Sequence, residues 1–158
     1  MHSYLSLWTG GKISYKLNSH LNILIADFTV FYQKLRHYHW NVKGPQFFKL
    51  HEKFEEIYTG VGNVIDDLAK RVVSLDGVPL HTLAHMLEET TQKEDPDLPA
   101  SAVMVTRTIQ DMETLTGSLQ EVINAAEDAG DRSTTTLLDD VIDSLEAHLW
   151  MLKAWEAK

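Results

Sequence analysis

The chain has 158 residues and no cysteine, with 14 Lys and Arg against 23 Asp and Glu for a formal net charge of −9. That length fits one domain with a substantial buried core, and the missing thiols exclude disulfides and thiolate metal sites. The acidic balance argues against a generic nucleic-acid binder, because phosphate contact needs Lys and Arg.

The opening Met1-His2-Ser3-Tyr4-Leu5-Ser6-Leu7-Trp8 has no basic n-region and too short an apolar run for a signal peptide. No stretch approaches the roughly 18 apolar residues of a membrane span, so a soluble cytoplasmic protein is expected. Residues 1–15 read as an N-terminal tail, closed by a turn at Thr9-Gly10-Gly11-Lys12. Its apolar Tyr4, Leu5, Leu7 and Trp8 are expected to pack on a neighbour. Residues 16–158 read as the folded domain.

A first long helix is expected from Lys16 to Asn41, where Leu17, Leu21, Leu24, Phe28, Phe31, Leu35 and Tyr38 recur at steps of three and four. Gly44-Pro45 breaks it, and Pro45 is placed to open the next helix. The second helix runs from Phe47 to Leu75, with Phe54, Ile57, Val61, Ile65, Leu68 and Val72 on its buried side. Gly60 and Gly62 cost it about 1 kcal/mol each against Ala, and two readings stay open for them: close approach at an interface, or simple small-residue packing. Asp76-Gly77-Val78-Pro79 stops this helix.

The stretch from there to Pro99 contains one short helix, Thr82 to Glu89. Antiparallel neighbours need only about two to eight connecting residues, so this length suits a crossover returning along the whole bundle. A third helix follows from Ser101 to Asp128, striped by Val105, Ile109, Met112, Leu115, Leu119, Val122 and Ile123. Gly130 suits its C-cap and Asp131 the N-cap of a fourth, which carries Leu137, Leu138, Val141, Leu145, Leu149 and Leu152. The fold class is all-α: a four-helix bundle with a long crossover, holding a short helix, between helices two and three.

His39, His51, Glu55 and Asp66 are the candidate metal ligands, two imidazoles and two carboxylates suited to a borderline or hard divalent ion. His51 and Glu55 lie four apart and share a helix face. Asp66 lies eleven residues beyond Glu55, about 16 Å along a helix, whereas metal–oxygen bonds are about 2 Å long. One helix cannot bring both to one ion, so a second copy must supply the other half, and a two-fold axis would make two equal sites per dimer. His37 points about 200° from His39 around the helix and is not expected to ligate. His81 and His85, read as an i, i+4 pair on the crossover helix, form a possible secondary metal clip set against an ordinary exposed pair. Trp40 reads as a packed aromatic. No Glu-x-x-His spacing occurs, which argues against a carboxylate-bridged di-iron centre inside one bundle.

His39-Trp40-Asn41-Val42-Lys43-Gly44, then Phe48, Leu50-His51 and Phe54, then Ala129-Gly130-Asp131 and Leu149-Trp150-Met151 together resemble the Dps family of mini-ferritins. The likeness runs from about Lys16 to Trp155. It implies a ferritin-like bundle assembled into a dodecameric shell, with iron oxidation sites at the dimer interfaces and ferroxidase-type oxidoreductase activity. His39, His51 and Glu55 would belong to one subunit and Asp66 to its mate, with Trp40 beside the iron.

The family usually has Asp at Glu55, a mild change, and Glu at Lys70, which is not mild. An ammonium cannot ligate a metal and repels one. Either Lys70 bends away to Glu55 or Asp67 while one metal still binds, or its charge replaces one of two metals and weakens the site. Positions corresponding to the family's acidic three-fold pore are Glu127, Arg132 and Thr136, only the first of them acidic. Two functions stay open: an iron-oxidising, iron-storing shell with a weakened site, or a structural or DNA-protecting shell without oxidation. DNA binding has little support, since the tail offers only Lys12 and Lys16, and an empty shell would carry about −108, twelve times the −9 of one chain.

Overall fold

Among the described residues five helices follow one another: α1 (Tyr4–Asn41), α2 (Phe47–Ser74), α3 (Leu83–Glu89), α4 (Ser101–Asp128) and α5 (Arg132–Glu156). The computed structural model describes the backbone of residues 4–157 and the side chains of residues 15–157. Helix α1 is continuous from Tyr4 through Thr9-Gly10-Gly11-Lys12, so the turn expected there is not formed. The expected packing of Tyr4, Leu5, Leu7 and Trp8 lies outside the described side chains. Helix α1 thus begins well before the expected Lys16, whereas the other boundaries fall within a residue or two of those expected.

The helices assemble because each presents an apolar stripe. Every member of the α1 and α4 stripes is buried. On α2 and α5 all are buried except Ile65 and Leu137, which pack against the core half-covered. Helix α1 packs on α2 and α4 on α5, α1 also meets α4, and α2 meets α5 only lightly. Gly60 faces open space within the protomer, and a Cβ at Gly62 would meet only the Tyr32 ring at 3.4 Å. No close helix approach inside the protomer depends on either glycine.

Two Schellman turns end α2 and α4. At α4, Gly130 takes φ 70° while the Asp131 and Gly130 amides donate to the carbonyls of Ala126 and Glu127. Asp131 then caps α5 by accepting from the Thr134 amide at 3.0 Å, and Arg71 of α2 donates to both its carboxylate oxygens at 2.8 Å. Burial works to raise the Asp131 pKa, but the bonds from Arg71 and Thr134 prevail and hold it below the ordinary value. At the end of α2 the left-handed residue is Asp76, φ 58°. Gly77 follows it because a Cβ there would lie 2.6 Å from the Asn18 side chain.

The crossover is fastened to α1 by a ladder of polar contacts rising in the same order along both. Asn18 donates to the Leu75 carbonyl, and Asn22 bonds Val78 and Leu80. Asp27 accepts from Thr90, Thr91 and Gln92. Tyr38 donates to Asp95 at 2.5 Å, and His37 bonds the Asp97 carbonyl. The connection therefore runs parallel to α1 for most of the bundle's length. It delivers α4 to the end where α2 began, so α2 and α4 run the same way, which a short loop cannot achieve. Burial raises the Tyr38 pKa, with Asp95 adding to it. Asp95 itself, raised by burial, is brought below the ordinary carboxylate range by Tyr38 and Arg107.

Candidate metal centre

The α1–α2 turn sets two histidines face to face. Gly44 adopts φ 103°, a conformation favouring glycine, and the chain doubles back so that the last turn of α1 lies against the first turns of α2. His39 Nδ1 bonds the His51 carbonyl at 2.7 Å, and His51 Nδ1 bonds the His39 carbonyl at 2.7 Å. A carbonyl only accepts, so each Nδ1 carries hydrogen and each neutral ring leaves its Nε2 lone pair free to ligate. The His39 carbonyl belongs to the last turn of α1, where helix geometry provides no amide partner. The reciprocal bonds thus finish a helix end and fix two ring orientations together.

Aromatic packing holds the rings from both sides. The imidazoles stack with centroids 3.8 Å apart at 15°. Phe47 stacks on His51 at 5.0 Å, and Tyr58 meets His39 edge-on at 5.4 Å. Phe47 and Tyr58 are the supporting residues that sequence reasoning missed. Tyr58 had a signal, standing seven residues beyond His51 on the same helix face.

One ligand atom from each of His39, His51 and Glu55 lies within 4.8 Å of the others. Donors around one ion at about 2.1 Å stand no more than about 4.2 Å apart, so the three side chains stand close enough to close on one ion with at most small movements. His39 is buried, His51 half-buried and Glu55 exposed, which leaves one side open. Among the described residues, no other group of three or more such side chains converges in this way.

Asp66 does not join this group within the protomer, in line with its distance along α2. It is exposed and accepts from Lys70 Nζ at 2.5 Å. Lys70 therefore pairs with Asp66 and not with Glu55 or Asp67, because i, i+4 residues are stacked one turn apart. The hydrogen bond to Asp66 is the main reason the Lys70 pKa is raised, with Coulomb attraction adding to it. Trp40, expected to be packed, is 56% exposed, with the Arg36 guanidinium 4.8 Å from its ring centroid.

The remaining candidates lie elsewhere. His37 bonds Asn41 and the crossover, away from His39. His85 lies on α3, but His81 precedes the Thr82 N-cap and bonds the Pro79 carbonyl, so the two do not share a helix face. Glu127, Arg132 and Thr136 are all exposed around the α4–α5 turn.

An all-helical bundle with a parallel crossover and a His-His-Glu group at its first turn defines a ferritin-like protein. The sequence model of the ferritin-like domain matches residues 18–158. A DNA protection during starvation protein of Brevibacillus brevis is 45% identical over 85% of this chain and 91% of its own. General stress protein 20U of Bacillus subtilis is 38% identical over 90% and 99%. Among solved structures, a Dps protein from Bacillus brevis superposes with a TM-score of 0.90 at 42% identity, covering 92% of this chain and 98% of the other. A Vibrio cholerae Dps, described as a member of a broad superfamily of ferritin-like diiron-carboxylate proteins, gives 0.90 at 36%, covering 92% of each chain. The chain belongs to the Dps family of mini-ferritins.

Proposed function

We propose that the protein is an iron-handling Dps-type shell, a hollow homo-oligomer of twelve cytoplasmic subunits. It binds Fe²⁺ at sites shared by two subunits, oxidises it with peroxide or oxygen and stores ferric iron inside. The observation that carries this reading is the pair of imidazoles whose Nδ1 atoms are committed to each other's carbonyls, presenting two Nε2 atoms beside Glu55. Locked histidine orientation of this kind is what metal sites require of their supporting groups. Asp66 of the partner subunit completes the set.

Iron is the substrate, and the residues bind and position it. Two Fe²⁺ give one electron each to H₂O₂, which becomes two hydroxides. The two carboxylates offset the charge of the incoming ion, and the two Nε2 atoms are presented to it because each Nδ1 is held by a backbone carbonyl. Lys70 weakens the site, because its ammonium lies on Asp66 and opposes the approach of a cation. The mixed Glu127, Arg132 and Thr136 turn makes a poor cation pore by the same argument.

Anaerobic calorimetry with Fe²⁺ tests the ligand set. His51→Ala should lose the binding isotherm and His37→Ala should keep it. Full binding by His51→Ala, or a stable 18 kDa monomer in light scattering, would remove the shared site.

A second reading, a structural or DNA-protecting shell without oxidation, is favoured by the Lys70–Asp66 pair and by the name of the Brevibacillus relative. The acidic chain is expected to retain DNA weakly in gel shifts and to release it at moderate salt. Tight retention at about 150 mM salt would favour this reading over the first.

A further inference from the structure

We infer that each inter-subunit site holds a single divalent ion, with the Lys70 ammonium, paired with Asp66, standing where a second ion would have to bind. The inference rests on the proposed pairing of His39, His51 and Glu55 with Asp66 of the partner subunit, and adds the number and class of ions.

The argument begins with donors. Two imidazole nitrogens and two carboxylates make four, the number that Zn²⁺ and related borderline ions take from protein. A second ion could share carboxylate oxygens, but it would need further oxygen atoms on the same face. One turn beyond Asp66 that face carries Lys70, which has no lone pair to give when charged. Asp67, the residue next to Asp66, points about 100° away around the helix.

Charge gives the same result. Glu55, Asp66 and Lys70 sum to −1 with neutral histidines. One divalent ion takes the site to +1 and a second to +3, with no anionic side chain added. The Lys70 nitrogen is 2.5 Å from an Asp66 oxygen, so an ion bound to that carboxylate lies within about 5 Å of a positive charge while the pair holds. Exposure softens this repulsion. A first ion bound by four donors can tolerate it, whereas a second ion held by shared oxygens and water cannot.

Co²⁺ provides the test, because its visible absorption reports coordination without any redox step. The metal-free oligomer is titrated, and the ions counted are those lost in His51→Ala, which separates the site from surface acids. Zn²⁺ displacement of the Co²⁺ absorption identifies the same ions if His51→Ala fails to assemble. Wild type should saturate at one such Co²⁺ per protomer, Lys70→Met also at one, and Lys70→Glu at two. Two ions in wild type, both lost in His51→Ala, would overturn the single-ion inference and leave the ligand assignment standing. One ion in Lys70→Glu would overturn the role of Lys70. Undiminished Co²⁺ binding by an assembled His51→Ala would instead overturn the ligand assignment on which the inference rests.

Discussion

Asp27→Ala should be among the most destabilising single substitutions in this chain. The carboxylate is fully buried, and it accepts from the Thr90 hydroxyl at 2.8 Å, the Thr91 amide at 2.6 Å, the Thr91 hydroxyl at 2.9 Å and the Gln92 amide at 3.3 Å. Removing it leaves donors at the end of α3 without their acceptor and a hole beside α1. Unmade bonds to a charged group cost about 1.5–3 kcal/mol each, but the hydroxyls can turn to water, so the net loss should be roughly 3–5 kcal/mol. For a chain of this length that is about 10 °C in Tm. Asp27→Asn keeps one carbonyl oxygen for three of the four donors and should lose less than half as much. Thermal melts at fixed protomer concentration check both, since assembly contributes to the apparent stability. A loss under about 1 kcal/mol in Asp27→Ala would mean that the crossover is held by its other rungs.

Asp27 also marks where sequence reasoning stops. An acid inside a helical stripe reads as a solvated residue, and nothing local announces partners more than sixty residues away. Asp95, which pairs with Arg107, and the Lys34–Asp111 ion pair at 2.7 Å are similar, because each joins residues on different segments that only the tertiary fold brings together. Periodicity and caps are local properties. They made Leu17 to Tyr38, the α2, α4 and α5 stripes, and the Gly130-Asp131 turn legible. The Gly10-Gly11 pair misled for the same reason: two glycines suggest a turn locally, yet α1 runs through them.

The site divides along the same line. Residue type and spacing singled out His39, His51 and Glu55, because ligands must be imidazoles or carboxylates on shared faces. The reciprocal histidine–carbonyl bonds left no such trace, since they depend on the register of α1 against α2 at the Gly44 turn. Trp40 was expected to be packed, whereas it is largely open, with Arg36 over its ring. For Lys70 the sequence offered several acids, and helix stacking selected Asp66.

Lys70→Glu should accelerate Fe²⁺ oxidation by H₂O₂ by about tenfold or more, read as the rise of ferric absorbance after rapid mixing. Wild-type turnover is expected to be slow for two reasons that act together. The ammonium beside Asp66 raises the energy of the occupied site, which lowers Fe²⁺ affinity. Peroxide also needs two electrons, and a site holding one Fe²⁺ supplies only one at a time. Glutamate at position 70 reverses the local charge and adds oxygen donors one helical turn from Asp66. Both changes favour a second Fe²⁺ in reach of the first. Lys70→Met separates the contributions, because it removes the repulsion without adding a ligand, and its rate should fall between the other two. A Lys70→Met rate equal to that of Lys70→Glu would assign the whole effect to charge. If Lys70→Glu oxidises Fe²⁺ no faster than wild type while still assembling into the same oligomer, the charge at position 70 does not limit oxidation. The chain then either uses a different metal arrangement, if both oxidise iron, or is the non-oxidising shell, if neither does.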